Sequence, residues 1–179
     1  MTKQPSRVDR WADLADLALI ISRELQYRGY TDERAIGLTQ SEGMVMRHLL
    51  DTESAATPSQ TDPSQSGRGQ TAPSQVAPSQ IAAATGLQRT NLSTTLRGLE
   101  SKGLIERQAN PADGRGVTVS PTDLGRANYV RVRREWATAV RQAAADDATH
   151  LEAALSLLTA VKEGLVEARP QVPSRHPPA

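Results

Sequence analysis

Between Gly86 and Gly103, Leu92, Leu96 and Leu99 recur at helical spacing, and nearly every residue between them is polar. A helix of that pattern buries only one narrow stripe, so it must lie against other elements, and glycine just beyond the last apolar turn marks where it stops. Ahead of it, Pro78-Ser79-Gln80 runs into Ile81-Ala82-Ala83-Ala84, where proline suits the first turn of a short helix that ends at Gly86. Behind it, Leu104-Ile105-Glu106-Arg107 and Val117-Thr118-Val119 flank a loop of Pro, Asp, Gly and Arg, which reads as two short strands and a turn. Helix, tight turn, helix and hairpin in that order form the winged version of the helix-turn-helix unit.

Helices are expected on both sides of this unit. From Val8 to Leu25, Trp11, Leu14, Leu17, Ala18, Ile21 and Leu25 recur every three or four positions. Thr39 with Glu42 makes a capping box that opens a second helix through Val45, Met46, Leu49 and Leu50, expected to end near Asp51. Thr122 caps a helix carrying Tyr129, Val132, Trp136, Ala139 and Val140 on one face. Thr149 with Glu152 reads as a further capping box, opening a last helix with Leu151, Leu155, Leu158, Val161 and Leu165. Phe is absent, so the core must come from Leu, Val, Ala and Ile, with Trp11 and Trp136 as the only large rings. The expected fold is mainly α with a small β-hairpin wing.

One stretch fits no packed element. Pro-Ser-Gln recurs at Pro58, Pro63, Pro73 and Pro78 and, with the intervening unit Ser66 to Gln70 that keeps only its glutamine, has a period of five residues, which matches neither helix nor strand. Residues 54–76 are therefore expected to be a flexible insertion, and the proline-rich tail 170–179 is expected to be disordered.

Several chemistries lack their residues. No cysteine is present, which removes disulfides and thiol sensing. The three histidines lie far apart in sequence, and there is no Gly-rich phosphate loop and no nucleophile paired with a base. No metal site, cofactor or enzymatic activity is expected. Met1 to Trp11 is polar, and no apolar run approaches the roughly 20 residues a bilayer span requires, so a cytoplasmic location is expected. The net charge is +1, so any attraction to nucleic acid must come from local clustering.

Such clustering occurs on the helix from Gln88 to Lys102. With its leucines turned inward, the outer face carries Gln88, Arg89, Thr90, Asn91, Ser93, Thr94 and Arg97, all able to hydrogen-bond. A major groove admits one helix, where Arg reads guanine, Asn or Gln reads adenine, and Ser or Thr reads either. The hairpin adds Arg107 near its base and Asp113-Gly114-Arg115-Gly116 at its tip. There Arg115 suits a phosphate or minor groove, and Asp113 is expected to pair with an arginine and fix the loop.

Leu99-Glu100-Ser101-Lys102-Gly103-Leu104-Ile105-Glu106-Arg107, then Asp113-Gly114-Arg115, then Thr122-Asp123-Leu124-Gly125 resemble the signature of the MarR family of transcriptional regulators. Leu38-Thr39 fits as well, and the resemblance runs from about Trp11 to Leu165 apart from the insertion. It implies one domain over 1–179, with a winged helix-turn-helix DNA-binding lobe at 38–120 and a helical dimerisation lobe from 8–29 and 122–168. It further implies a homodimer on a pseudo-palindromic operator in double-stranded DNA, acting as a repressor relieved by a small aromatic or anionic effector. Trp11, Tyr27, Tyr30, His48 and Trp136 are the candidate effector contacts, weighed against ordinary core packing.

The sequence departs from the family at several points. Gln88 and Arg89 replace the usual small cap and proline, Thr94 stands where arginine is frequent, and Pro121 replaces a common leucine. Gly43 lies within the second helix, costing about 1 kcal/mol in propensity, and would widen a pocket there. The alternative function is a winged-helix module that binds proteins without reading DNA.

Overall fold

The computed structural model describes residues 9–56, 75–109 and 116–170. In chain order it contains α1 (Arg10–Tyr27), α2 (Gln40–Ala56), α3 (Pro78–Thr85), α4 (Arg89–Ser101), β1 (Ile105–Ala109), β2 (Val117–Pro121), α5 (Asp123–Ala143) and α6 (Leu151–Glu167). The chain divides into two compact units, one ending at Ala139 and the other beginning at Val140.

Local chemistry sets most of the helix starts. Asp9 caps α1 by accepting from Trp11 N at 3.1 Å. The Thr39 and Glu42 box forms in both directions: Thr39 N donates to Glu42 Oε2 at 2.8 Å and Glu42 N donates to Thr39 Oγ1 at 3.2 Å. Ala77 offers no side-chain oxygen to α3, so only half a box remains, with Ala77 N donating to Gln80 Oε1 at 3.0 Å. Two helix boundaries differ from expectation. α2 continues past Asp51 to Ala56, where Ala55 and Ala56 are strong helix formers despite their polar neighbours. Helix α6 is preceded by His150 without a side-chain cap, and Thr149 N, which the expected box would give to Glu152, donates to Asp147 Oδ1 at 2.9 Å instead.

In the first unit, the core joins Val45, Met46 and Leu49 of α2 to Ile81 of α3 and to Leu92, Leu96 and Leu99 of α4. Leu104, Ile105 and Val119 around the hairpin, Tyr129 and Val132 of α5, and Leu38 ahead of α2 add to it. β1 and β2 pair antiparallel, with Ile105 opposite Pro121 and Arg107 opposite Val119. Val76 adds a bridge to this ribbon: Val76 N donates to Val119 O at 3.0 Å and Val119 N returns to Val76 O at 2.9 Å. Its side chain is buried in the core. The ends expected for the 54–76 insertion are thus structured, since Ser54–Ala56 belong to α2 and Val76 to the core. Residues 57–74 and the tail from 171 lie outside the described residues.

The Thr122-x-x-Gly125 motif sets the passage from hairpin to α5. Thr122 Oγ1 donates to Gly103 O at 2.7 Å and accepts from Gly125 N at 3.0 Å, tying α5 to the end of α4. A Cβ at Gly125 would overlap the Leu104 carbonyl oxygen, so α5 comes this close only with glycine there.

In the second unit, Ala145 and Asp146 adopt left-handed backbone conformations between the end of α5 and α6. Helix α6 leaves Leu151, Leu155, Leu157, Leu158 and Leu165 exposed, and no residue of it is buried. In the first unit α1 likewise buries none of its residues, and Trp11, expected in the core, is 67% exposed.

Candidate nucleic-acid interface

The turn between α3 and α4 is built for a sharp change of direction. Gly86 takes φ 73° and donates its N–H to Ala82 O at 2.8 Å, closing α3 with the left-handed geometry that glycine adopts without strain. Thr85 Oγ1 is already donated to Ile81 O at 2.7 Å, so its oxygen can accept from Leu87 N at 3.4 Å. Gln88 then caps α4 through its extended backbone, and its side chain makes no cap bond. The side chain is therefore free to face outward.

Leu92, Leu96 and Leu99 are buried, as their spacing predicts. Gln88, Arg89, Thr90, Asn91, Ser93, Thr94 and Arg97 are all exposed. Both arginines lack a carboxylate partner among the described ion pairs. The hydroxyls are arranged differently from what composition alone suggests. Ser93 Oγ donates to Arg89 O at 2.9 Å and Thr94 Oγ1 to Thr90 O at 3.2 Å, each across one helical turn. With their protons committed to the helix, these oxygens present acceptor lone pairs outward. Arg97 Nε lies 3.3 Å from Ser93 O, which leaves the rest of its guanidinium for other acceptors.

The hairpin contributes less free charge than expected. Arg107 Nε stands 3.2 Å from Glu100 Oε2, so its cation is partly neutralised and its direction is set by α4. Asp113 and Arg115 lie outside the described residues, and the expected pairing of Asp113 lies there too.

The candidate effector residues separate by environment. Tyr30 packs against the core, and its hydroxyl accepts from Leu38 N at 3.4 Å. Trp136 packs against the same core and covers Gly43, where an added Cβ would stand 3.2 Å from the indole. The space expected beside Gly43 is thus filled by a ring, and the glycine makes room for Trp136 instead of a ligand. His48 Nε2 and Trp136 Nε1 are both buried without a hydrogen-bond partner. Trp11 and Tyr27 are exposed. A shallow groove of about 310 Å³ is lined by Leu19, Ser22, Arg23, Gln26, Tyr27 and Gln40, so Tyr27 alone of the five candidates borders it.

Sequence reasoning missed the polar ties that hold the segment between α1 and α2. Asn128 is fully buried on α5 and bonds both backbone groups of Ile36. Thr31 donates from its N–H to Glu135 Oε2 at 3.0 Å and from its hydroxyl to the same carboxylate, which holds Glu135 below the usual glutamate range. These partners are separated widely in sequence and carry no periodic signal. Among the described residues, no three His, Cys, Asp or Glu side chains are grouped to hold a metal ion, and no helix is long and apolar enough to cross a membrane.

Comparison with known proteins agrees with this geometry. Residues 69–116, which contain the end of the insertion, α3, α4 and β1 but stop short of β2, match the profile of the MarR family. No curated protein matches the chain. Among solved structures, Sco3205, a MarR family transcriptional regulator from Streptomyces coelicolor in complex with DNA, is 19% identical. It matches over 92% of this chain and 93% of its own, with a TM-score of 0.60. The transcriptional regulator BldR from Sulfolobus solfataricus is 15% identical over 91% of this chain and 99% of its own, with a TM-score of 0.60. BpsR from Bordetella bronchiseptica, whose DNA binding is regulated by 6-hydroxynicotinic acid, is 18% identical. The match covers 86% of this chain and 99% of that one, with a TM-score of 0.57. At these identities the shared property is the fold, which is the mainly helical winged helix-turn-helix expected from the sequence.

Proposed function

With a MarR-family sequence at residues 69–116 set in a winged helix-turn-helix fold as the premise, we propose that the protein is a sequence-specific double-stranded DNA-binding transcriptional regulator. It works as a homodimer, in the cytoplasm, as a repressor relieved by a small-molecule effector. The observation that carries this reading is the two-faced α4: three leucines seat it in the core while the hydrogen-bonding side chains from Gln88 to Arg97 are exposed on the other side. Asn91, Ser93, Thr94 and Arg97 discriminate bases, with Gln88 and Thr90 beside them. Arg89, Arg107 and Arg115 dock on the backbone, and Asp113 holds the wing tip. The apolar faces of α1 and of α6 are exposed in the single chain, which supports their burial against a second copy. Two symmetric recognition helices would then meet half-sites about 34 to 36 Å apart.

Ligand relief is supported by a solved neighbour of this fold whose DNA binding a hydroxynicotinic acid regulates. The unpartnered ring nitrogens of His48 and Trp136 mark polar atoms that a small aromatic acid could satisfy after a shift of the Trp136 ring, with Tyr30, Tyr27 and Trp11 as further candidates.

The decisive experiment mixes the purified full chain with fragmented genomic DNA and sequences what is retained in about 150 mM salt. Recovery of a two-fold-related motif that outcompetes random duplex at least a hundredfold is expected. Equal retention of all sequences, or none, would refute the proposal and favour a protein-binding module.

A further inference from the structure

Among the described residues, Glu42 is the only buried carboxylate, and it lies where α2 meets α4. Its Oε2 accepts from Thr39 N at 2.8 Å and from Lys102 Nζ at 2.7 Å. Lys102 is the residue that caps the C-terminus of α4, and the same ammonium donates to Gly37 O at 2.8 Å. On the other side of the carboxylate runs the backbone of α4: a Cβ on Gly98 would stand 2.8 Å from Glu42 Oε1.

Two residue choices follow from this arrangement. Glycine within α4 lowers helix propensity, yet at position 98 any side chain would push the carboxylate aside. Lysine is used at only three positions, Lys3, Lys102 and Lys162, while every other permanent cation is arginine. A compact ammonium donates to one carbonyl and one carboxylate at once, a geometry that a planar guanidinium fork does not reproduce. The leucine stripe alone can hold α4 against the core, but apolar contact tolerates sliding and rotation that a charged, directional contact does not.

We propose that Glu42 and Lys102 are positioning residues for DNA recognition: the pair, with Gly98 seated on the carboxylate, sets the pitch of α4 on α2. Preference for one duplex over others then depends on two charges that touch no base. The inference rests on reading α4 as the recognition helix. It also gives the segment ahead of α2 a route to α4, because Gly37 and Thr39 bond the same two side chains.

The test compares the full-length chain with the Glu42→Gln, Lys102→Met and Glu42→Gln/Lys102→Met variants. Each is titrated with the duplex that the wild type selects from a random pool and with an unselected duplex of the same length, beside a thermal melt. Both single variants are expected to lose about tenfold or more in affinity for the selected duplex while unselected binding changes less than threefold. The double variant, which leaves no buried charge unpaired, is expected to melt near the wild type and still lack the preference. The proposal is overturned if Glu42→Gln strengthens and Lys102→Met weakens binding to both duplexes, since Lys102 would then be acting as a phosphate contact. Restored preference in the double variant overturns it too, as does a loss that only tracks the unfolded fraction. A wild type that selects no duplex defeats the reading of α4 itself, an outcome visible before any variant is made.

Discussion

Asn128 holds Ile36 by both of its backbone groups: Ile36 N donates to Asn128 Oδ1 at 2.7 Å and Asn128 Nδ2 donates to Ile36 O at 2.9 Å. A side-chain amide here does the work of a β-ladder rung, fastening the segment between α1 and α2 to α5. Asn128 is fully buried and Ile36 half-buried, so removing the amide takes the partner from both Ile36 groups and leaves a gap in the core. Asn128→Ala is therefore expected to lower unfolding free energy by about 2 to 4 kcal/mol in urea titration, more than a typical surface change. A loss below about 1 kcal/mol would contradict the bonding shown here.

Glu53 and Arg126 predict a specific pH response. Arg126 Nε donates to Glu53 Oε2 at 2.9 Å, and Asp123 Oδ1 accepts from the same guanidinium at 2.8 Å. The hydrogen bond from Arg126 is the main reason the Glu53 carboxyl lies below the usual glutamate range, and burial opposes it. A carboxyl depressed on folding adds stability above its unfolded value, and that contribution is lost as pH falls through the folded value. Glu53→Gln is expected to cost about 1 to 2 kcal/mol at pH 7. The gap to the wild type should close steadily between about pH 5 and pH 3. Asp32 and Glu135 are also depressed, by bonds from the Arg34 and Thr31 backbone, so the wild-type and variant curves share that remaining slope. A gap that is constant with pH would show that Glu53 acts through packing alone.

The exposed leucines of α6 bear on assembly. Leu155 and Leu158 share a face and are 50% and 45% exposed in the single chain. Burying the exposed half of each against a second copy would contribute about 1 kcal/mol. On the proposed assembly, the wild type is expected to sediment as a dimer at micromolar concentration and the Leu155→Glu/Leu158→Glu variant as a monomer. Operator affinity should fall about a hundredfold or more, because one half-site remains per particle. A dimer that survives both charges would place the interface elsewhere.

The unit from Pro78 to Pro121 was legible because its signals are local: a leucine stripe, glycines at the helix ends and a hairpin with its loop. The Thr39 and Glu42 box was legible for the same reason, since both partners lie within one helical turn. What depended on distant partners was not. Val76 looked like the end of a repeat, and only its pairing with Val119 makes it part of the core. Gly43 suggested empty space until α5 brought Trp136 over it. Trp11 looked like core because its helix has an apolar face, yet in one chain that face has no cover. Arg107 counted as a free cation until α4 placed Glu100 beside it.

Arg89 and Asn91 stand two residues apart on the exposed side of α4 and should fail in different ways. Arg89 lies in the first turn, where a cation opposes the helix dipole and has no carboxylate partner among the described residues, an arrangement that a phosphate would relieve. Arg89→Ala is expected to weaken selected and unselected duplexes alike and to reduce the salt slope of binding by about one. Asn91 carries no charge and can pair its amide with a single base edge. Asn91→Ala should leave unselected binding and the salt slope unchanged while discrimination at one base-pair position falls by about 1 to 3 kcal/mol. Titrating both variants at several salt concentrations against the selected duplex and its single-base-pair substitutions separates the two roles. Identical profiles for the two variants would mean that α4 presents a charged surface to the backbone without reading sequence.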